Sequence, residues 1–355
     1  MYERELKALQ RAGRFRQRRR FSPDLKDFAS NDYLGLAHKK ELLDRAYERV
    51  RRFPINAAKA SQLINGYTEI HHEFEEELCY LNGFEGAITV GSGFLANIAL
   101  IEALVRKGDV LFLDEEFHAS GMLASRLVEK VVFFAHNDAE DLKRKLRTTP
   151  HKRAIVAVEG IYSMSGDLLN PDIFKVAKEA ILIVDEAHSA GVVGERLLGV
   201  YDLYKIKIEP NHIKMGTMGK ALGSYGAYIL AGKEIISFLE NRAKSVIYTT
   251  ALSLMDVALA HEGLKEIANN LGYYKRSIQK RQAIAKSFGH ETPGLIVDIP
   301  KKDVLEVQEE LLQRGFLVGA IRPPTVQEPM IRVIARVGES EEDLEEVLRC
   351  LCANG

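Results

Sequence analysis

The segment Ala180-Ile-Leu-Ile-Val-Asp-Glu-Ala-His188 is a short apolar run that ends on an acidic residue, with a histidine three residues further on. A run of consecutive branched apolar residues is typical of a strand inside a parallel sheet. Asp185 falls at the carboxyl end of this predicted strand. Because open α/β sheets bind ligands beyond the carboxyl ends of their strands, the segment predicts both a parallel sheet and the edge that carries chemistry.

Short apolar runs alternate with longer amphipathic ones from about residue 69 onward. This alternation predicts βαβ units, and therefore an α/β fold with a mostly parallel sheet covered by helices. We expect strands at 86–90, 109–113, 130–135, 153–158, 180–184, 212–215 and 227–230. We expect helices at 92–105, 118–129, 138–147 and about 170–179.

The pattern changes near residue 249 to long helices, followed by predicted strands at 294–298 and 330–334 and an acidic helix from about 340 to 351. This order is typical of a smaller α+β domain. We therefore expect three regions: an N-terminal arm and small-domain segment (1–46), a large domain that holds the cofactor (47–250) and a C-terminal small domain (251–355).

The composition excludes several classes of protein. With 355 residues, 46% of them hydrophobic, the chain is long enough for more than one core and is not disordered. A formal net charge of −1 predicts no general affinity for nucleic acid or for a membrane surface. The three cysteines lack C-x-x-C spacing, so we expect neither a disulfide framework nor a metal site. The longest apolar runs are too short to cross a bilayer, and we expect a cytoplasmic protein.

Residues 1–20 are an exception to this charge balance, because they hold eight basic side chains against two acidic ones. One interpretation is a solvated first helix followed by a basic connector. The other is a rim of positive charge that attracts an anionic substrate.

The segment Gly91-Ser-Gly-Phe-Leu-Ala96 follows a predicted strand and opens a predicted helix. Small residues at a helix N-terminus allow backbone N–H groups to approach an anion. The segment also fits the dinucleotide pattern G-x-G-x-x-A, with Asp114 at the place of a ribose-binding acid. A nucleotide, another phosphate and a simple tight turn therefore remain open from this segment alone.

Two further segments carry chemically useful groups. Asp185 and His188 are either capping residues or an acid that faces a cationic ring nitrogen with an imidazole beside it. Lys220 lies among the glycines of the segment 214–223, as a phosphate clamp or as a Schiff-base lysine. A Walker P-loop is excluded, since Ala221 stands where that motif requires Ser or Thr.

The three segments together predict pyridoxal phosphate as the cofactor. It needs a phosphate cradle, an acid such as Asp185 that keeps the pyridine nitrogen protonated, and a lysine that holds the aldehyde as an imine. Lys220 lies 35 residues after Asp185 in the sequence. A dehydrogenase has no use for the acid or the lysine, so the dinucleotide interpretation is the weaker one.

The chain resembles the α-oxoamine synthases, a family of fold-type-I pyridoxal-phosphate enzymes, from about residue 18 to residue 332. The motifs that carry the resemblance are Ser30–Leu36, Asn65–Tyr67 with His71, Ser92–Phe94, Phe117–Ser120, Ala135–Asp138, Glu159–Met164, Asp185–His188, Thr217–Lys220 and Ala320–Val326. The strings S-N-D-Y-L-G-L and T-x-G-K are the most specific to the family. The string I-R-P-P-T-V resembles the branch that joins L-alanine to a pimeloyl thioester in biotin synthesis.

The resemblance implies roles for individual residues. Lys220, His118 and Asp185 would be catalytic: the lysine holds the aldehyde, His118 stacks on the ring and Asp185 pairs with the ring nitrogen. The residues implied in binding the ring oxygen are Ser163 and His188, and those near the phosphate are Ser92, Gly93, Phe94 and Thr217. Thr250 would reach the phosphate of the other subunit, which implies an obligate homodimer with shared active sites. Asn31 and Arg332 would bind a substrate carboxylate, and Arg18 and Thr325 would line the acyl-donor side.

One segment departs from the family. The α-oxoamine synthases usually carry a Gly/Ser-rich stretch where this chain has Asn56-Ala-Ala-Lys-Ala-Ser-Gln-Leu63. The added side chains restrict φ near the predicted substrate entrance. Acyl-donor and amino-acid specificity therefore stay open, including CoA against acyl carrier protein as the donor. The alternatives are an α-oxoamine synthase that uses glycine or serine with a different acyl-CoA, and a fold-type-I aminotransferase.

Overall fold

The computed structural model describes residues 1–352. Its strands are β1 (Lys26–Phe28), β2 (Gly86–Val90), β3 (Val110–Asp114), β4 (Val131–Phe134), β5 (Ala154–Glu159), β6 (Ile181–Asp185), β7 (His212–Thr217), β8 (Ala227–Ala231), β9 (Ile296–Pro300), β10 (Phe316–Ile321) and β11 (Met330–Ile334). Its helices are α1 (Glu3–Arg11), α2 (Lys40–Arg52), α3 (Glu69–Asn82), α4 (Gly93–Leu104), α5 (Ala119–Ala124), α6 (Ala139–Thr148), α7 (Asp172–Val176), α8 (Val200–Leu203), α9 (Lys233–Arg242), α10 (Lys244–Ile247), α11 (Leu254–Asn269), α12 (Leu271–Ser287), α13 (Val304–Gln313) and α14 (Glu341–Cys352).

The larger sheet has seven strands in the order β2-β8-β7-β6-β5-β3-β4. The pairs from β4 through β3, β5 and β6 to β7 are parallel, and β8 runs antiparallel to both β7 and β2. Every residue of β3 and β5 is buried, as expected for strands with helices on both faces. The expected α/β fold with a mostly parallel sheet is therefore confirmed, and the carboxyl ends of its strands meet at one edge.

The smaller sheet joins the two ends of the chain. Its order is β1-β10-β11-β9, with β1 parallel to β10 and the other pairs antiparallel. Residues 26–28 thus add an edge strand to a sheet built from residues 296–334. The segment that follows β1 lies beside β11 as a result. The expected domain boundaries after residues 46 and 250 stay a prediction.

A buried guanidinium fastens the N-terminal segment to the residues after β11. Arg336 is 1% exposed. Its Nη1 donates to Asp27 Oδ2 at 2.9 Å, its Nε donates to the main-chain oxygen of Asp32 at 3.1 Å, and its Nη2 donates to Asp32 Oδ2. Gly35 passes so close by that a Cβ there would lie 2.7 Å from the Cα of Gly338. This contact fixes the position of residues 27–35 against the smaller sheet.

The structure corrects some element boundaries. The helix expected at 118–129 ends at Ala124 and continues as a 3₁₀ turn to Leu127. Ser125 Oγ donates to the main-chain oxygen of Met122 at 2.9 Å, which competes with the helical hydrogen bonds. The helix expected at 170–179 is limited to α7. The sequence did not predict β1 or β10. No helix within residues 1–352 is long and apolar enough to cross a membrane.

Replacement of Arg336 by alanine is expected to lower the free energy of unfolding by about 3–5 kcal/mol, because it leaves two partly buried carboxylates without their cation. Chemical unfolding followed by circular dichroism measures the change. The matched control is Arg349→Ala, which removes an arginine whose side chain is 66% exposed and 4.0 Å from Glu345. We expect that control to change stability by no more than about 0.5 kcal/mol. Equal effects of the two substitutions would contradict an anchoring role for Arg336.

Candidate active site

A buried carboxylate marks the carboxyl end of β6. Asp185 is 4% exposed, and its Oδ2 accepts a hydrogen bond from Asn97 Nδ2 of α4 at 2.7 Å. Its Oδ1 accepts from the main-chain N–H of Ala187 at 2.9 Å. These neutral donors hold the carboxylate in one orientation. A carboxylate held in this way is suited to pair with a cationic ring nitrogen.

Lys220 lies in the turn that follows β7, partly buried, with its Nζ 2.7 Å from His188 Nε2. Burial lowers the pKa of Lys220 to about 8, against the raising effect of the Asp185 and Glu159 carboxylates. About a tenth of this amine is therefore unprotonated at pH 7, far more than for a lysine with the usual pKa. An unprotonated amine is both a nucleophile and a base.

His188 joins Lys220 to the N-terminal segment. Its Nδ1 lies 2.5 Å from the hydroxyl oxygen of Tyr33, on the opposite side of the ring from Lys220. Burial lowers the pKa of His188 well below its usual value, and the positive charges of Lys220 and Arg332 lower it further. The imidazole is thus neutral at physiological pH.

His118 lies in the loop between β3 and α5, and hydrogen bonds from this loop hold it in position. Its main-chain N–H donates to Glu159 Oε1 at 2.6 Å, and its Nδ1 lies 2.8 Å from Ser120 Oγ. Asn97 Nδ2 donates to the same Ser120 hydroxyl at 2.9 Å, so a line of hydrogen bonds runs from Asp185 to His118. Burial lowers the pKa of His118, against the raising effect of the Asp185 carboxylate. A neutral, oriented imidazole is suited to contact a flat ring.

Glu159 is a site residue to which the sequence analysis gave no role. It ends β5, is 1% exposed and accepts hydrogen bonds from the main-chain N–H groups of His118 and Ser163. Burial raises the pKa of Glu159 well above its usual value, and the Asp185 charge raises it further. The carboxyl group holds the two loops that carry His118 and Ser163. The available sequence signal was an acid at the end of an apolar run, as at Asp185.

The N-terminus of α4 offers an anion site. Ser92 caps the helix by accepting a hydrogen bond from the N–H of Leu95 at 3.3 Å. The N–H groups of Gly93 and Phe94 belong to the first turn, where a helix supplies donors without intrahelical partners. A Cβ at Gly93 would lie 3.9 Å from the Cβ of Thr217, so the end of β7 adjoins this turn.

Arg332 presents unsatisfied donors within the protein. It lies on β11, is 7% exposed, and donates from Nη1 to Asn31 Oδ1 at 3.2 Å. Its Nε and Nη2 have no hydrogen-bond partner among residues 1–352. Buried donors of this kind are nearly always paired, and a guanidinium pairs best with a carboxylate. The arrangement therefore fits a ligand with a carboxylate group.

The residues expected on the acyl-donor side lie at the surface. Arg18 and Thr325 are both exposed. The arginine that donates to Thr325 Oγ1 is Arg16, at 3.2 Å. Arg322 fastens the arm by donating to the main-chain oxygens of Gly13 and Phe15. Thr250 is also exposed, and its expected contact with a second subunit stays a prediction.

The segment that departs from the family borders the α4 turn. Gln62 Nε2 donates to the main-chain oxygen of Thr89 at 2.5 Å, and the N–H of Ala251 donates to the oxygen of Ala60 at 3.0 Å. Lys59 has a φ of 69°, in the left-handed region that glycine occupies without strain. Lys59 thus adopts a backbone conformation that would suit a glycine, the residue type usual in this stretch of the α-oxoamine synthases.

A second polar cluster supports the loop after β5. His136 Nδ1 lies 3.1 Å from Asp114 Oδ1, and its Nε2 lies 3.2 Å from Asp167 Oδ2. Tyr162 donates to Asp114 Oδ2 at 2.7 Å, and the N–H of Asn137 donates to the same atom at 2.8 Å. Asp114 is therefore fully engaged within the protein, which argues against the ribose-binding role of the dinucleotide interpretation.

The chain matches the family model "Aminotransferase class I and II" over residues 23–351. It is 45% identical over 360 residues to a protein named 8-amino-7-oxononanoate synthase from Helicobacter pylori strain J99, which covers 99% of this chain and 96% of that protein.

Two solved structures are also similar. One is a serine palmitoyltransferase from S. paucimobilis with a bound PLP–myriocin aldimine, with a TM-score of 0.88, 25% identity, and coverage of 100% of this chain and 97% of that chain. The other is 8-amino-7-oxononanoate synthase from Francisella tularensis, with a TM-score of 0.79, 24% identity, and coverage of 94% and 98%.

The cluster around His136 predicts a pH dependence of stability. Burial by itself lowers the pKa of His136, but hydrogen bonds to Asp114 and Asp167 raise it to about 10. The folded-state pKa lies above the unfolded value of about 6.5, so this stabilisation is complete below about pH 6.5 and is lost as the pH rises toward 10. Thermal unfolding between pH 6 and 10 should show a steeper fall for the parent than for His136→Gln. The exposed His151→Gln variant serves as the control, and equal slopes for all three proteins would contradict the assignment.

Proposed function

The chain belongs to the aminotransferase class I and II family, and from that membership we propose that it condenses L-alanine with a pimeloyl thioester. The products are 8-amino-7-oxononanoate, carbon dioxide and the free thiol, in a step of biotin synthesis. The protein is thus an acyltransferase. The observation that supports this best is the buried amine of Lys220 in the same site as the Asp185 carboxylate and the half-paired Arg332 guanidinium.

Pyridoxal phosphate is the cofactor, and when bound it supplies an electron sink for the carbanion formed at the amino-acid Cα. Lys220 would hold its aldehyde, Asp185 its ring nitrogen and His118 its ring face. Ser163 and His188 would bind the ring oxygen. The phosphate would lie at the α4 turn, near Ser92, Gly93, Phe94 and Thr217. The free N–H groups of this turn fit the charge of a phosphate.

Arg332 and Asn31 bind the carboxylate of the incoming alanine. The two unpaired nitrogens of Arg332 are in position to donate, and Asn31 holds the guanidinium from the other side. A bidentate pair of this kind fixes the amino acid in one orientation. The Cα–H bond is then presented consistently to the base, which is a large part of the rate advantage of a bound substrate.

Lys220 moves the protons. As a free amine it removes the Cα proton of alanine, and its pKa of about 8 places it near the range where a base works best at physiological pH. The Cα of alanine then forms a bond to the thioester carbonyl carbon, and the thiolate leaves. The carboxylate departs as carbon dioxide, and the ammonium of Lys220 returns a proton to the same carbon.

The acyl thioester enters along the basic arm. Arg16 contacts Thr325, Arg18 is exposed nearby in sequence, and Arg19 pairs with Glu309 of α13. Both acyl carriers, CoA and acyl carrier protein, are anionic and hold the acyl group on a phosphorylated thiol arm. The positive charge of residues 1–20 suits either of them.

A second copy of the chain completes the site in this proposal. Thr250 is exposed in the turn between α10 and α11, next to Tyr248, which is 78% exposed. Leu63 and Ile64, in the segment hydrogen-bonded to this region, are also exposed. Exposed apolar residues beside Thr250 favour a homodimer in which Thr250 serves the partner.

A second candidate function is condensation of glycine or serine with a different acyl-CoA. Two observations favour it: the high structural similarity to a serine palmitoyltransferase, and Lys59 with its neighbours where the α-oxoamine synthases usually have glycines. The same Lys220, Asp185 and Arg332 would serve this reaction, so the difference lies in the substrate.

Incubation of the enzyme with pimeloyl-CoA and alanine, glycine or serine separates the candidates. We expect alanine to be turned over at least about tenfold faster than glycine or serine. A pocket fitted to one side chain discriminates by about that factor against a side chain that differs by one methyl or one hydroxyl group. Mass spectrometry of the product and release of labelled carbon dioxide from 1-¹³C-alanine measure the reaction. Preferential turnover of glycine or serine would support the second candidate. Conversion of the cofactor to its amine form without carbon dioxide release would indicate an aminotransferase.

Borohydride treatment of the cofactor-loaded protein should add a pyridoxyl mass to the peptide that contains Lys220. Lys214 provides a control within the same digest, because it is 1% exposed and its pKa is also lowered by burial. Its Nζ donates to Asn82 Oδ1 at 2.8 Å and to the main-chain oxygen of Leu198, so we expect it to stay unlabelled. Label on Lys214, or none on Lys220, would end the proposal.

A further inference from the structure

Three side chains form a continuous hydrogen-bonded line through the site. The Tyr33 hydroxyl oxygen lies 2.5 Å from His188 Nδ1, and His188 Nε2 lies 2.7 Å from Lys220 Nζ. Tyr33 is 0% exposed and His188 is 6% exposed, so the contact between the phenol and the imidazole is shielded from water. The imidazole is the only link between the phenol and the amine in this line.

The direction of the hydrogen bonds follows from the charge states. Burial raises the pKa of Tyr33 to about 12, against the lowering effect of the Arg332 cation, so the phenol keeps its proton. The imidazole of His188 is neutral, as shown above, and carries a single N–H. The phenol O–H has two acceptors within reach, His188 Nδ1 at 2.5 Å and Asn31 Oδ1 at 3.5 Å, and the much shorter contact is the one to Nδ1.

We propose that Tyr33 is a positioning residue that donates to Nδ1 of His188 and thereby fixes the imidazole proton on Nε2. The ring then presents an N–H to the reacting amine and not a lone pair. Such a donor binds the free amine of Lys220, whereas a lone pair would bind its ammonium form. This inference rests on the proposed function only in taking Lys220 as the reacting group.

The fold prevents Tyr33 from leaving this position. The residue before it, Asp32, is held by the buried Arg336, and Asn31 is held by Arg332. The main-chain oxygen of Tyr33 accepts a hydrogen bond from the N–H of Val337 at 2.8 Å. Three consecutive residues thus connect the smaller sheet to the catalytic lysine, and these contacts hold the backbone of Tyr33 in place.

The other charges near Lys220 do not duplicate this effect. Asp185 and Glu159 raise the pKa of Lys220, while Arg332 lowers it. His118 and Arg332 lower the pKa of His188. None of these groups contacts Nδ1 of His188 in the described chain, where the hydrogen bond comes from Tyr33. The imidazole tautomer is therefore controlled from one side.

The first test measures the tautomer directly. Full-length protein labelled with ¹⁵N in its histidine rings is studied by long-range ¹H–¹⁵N spectroscopy, with and without pyridoxal phosphate, and His188→Gln identifies the signals. We expect a protonated Nε2 and an unprotonated Nδ1 in the parent, and loss of this preference in Tyr33→Phe. The matched control is Tyr274→Phe, which removes the hydroxyl of an equally buried tyrosine that donates to Glu266 at 3.0 Å.

The second test measures the consequence at Lys220. Trace acetylation across a pH series, with mass spectrometry of the Lys220 peptide, gives the midpoint for its deprotonation. We expect that midpoint to rise by about one pH unit in Tyr33→Phe, which is a tenfold change in the protonation equilibrium, and to stay unchanged in Tyr274→Phe. In a His188→Gln background the Tyr33→Phe substitution should have no further effect.

A parent His188 with its proton on Nδ1, or an unchanged Lys220 midpoint in Tyr33→Phe, would overturn the inference. If Tyr33→Phe does not fold, as judged by circular dichroism, the tautomer of the parent decides. Both measurements are made without substrate. Failure of the proposed function would instead appear as absence of pyridoxyl label on Lys220 or of product from alanine, and it would leave the tautomer result intact.

Discussion

Four ionisable side chains interact at the carboxyl edge of the larger sheet, three from that sheet and its loops and one from the smaller sheet, and the rest of the site depends on how their charges balance. Asp185, Glu159 and Arg332 are each less than one-tenth exposed, and the charge of each shifts the pKa of Lys220. None of these charges would be stable alone in such a place. Burial favours the neutral amine of Lys220 and the carboxylates oppose it, which leaves its pKa near neutrality. Parallel strands bring Asp185 and Glu159 together because the residues at their carboxyl ends lie at the same edge of the sheet.

The smaller sheet supplies one residue of the site that the larger sheet lacks. Arg332 lies on β11, and the partner that holds it, Asn31, comes from the opposite end of the chain. The segment after β1 contacts Arg336, just after β11, through Asp32, and it contacts His188, in the loop after β6, through Tyr33. Three neighbouring residues, Asn31 to Tyr33, therefore connect the Arg332 guanidinium with the His188 imidazole and the Lys220 amine. An error in the packing of this segment would displace all of them.

Much of this architecture could be predicted from the sequence. Long apolar runs identified the strands of the larger sheet to within about two residues, since burial on both faces leaves a strong pattern. The same runs located Asp185 and Lys220 at strand ends, and the structure brings both into one site. Strand β1 was missed because three residues carry no periodicity, and its stability comes from pairing with β10. The roles of Asn97 and Tyr33 depend on contacts between distant segments, which residue spacing does not encode. The contact of Arg16 with Thr325 likewise reflects the path of the arm over the surface.

The pairing of β1 with β10 also has a consequence for how the protein is made. A ribosome releases residues 26–28 early, but their partner at 316–321 emerges only near the end of synthesis. The larger sheet, contained within residues 86–231, has all its strands available well before that moment. The N-terminal segment must wait unpaired while the rest of the chain folds, since non-local strand pairing is the slow event in such topologies. The seven arginines within residues 1–20 keep this waiting segment hydrated, and Asn31 can contact Arg332 only after the last strand, β11, has left the ribosome.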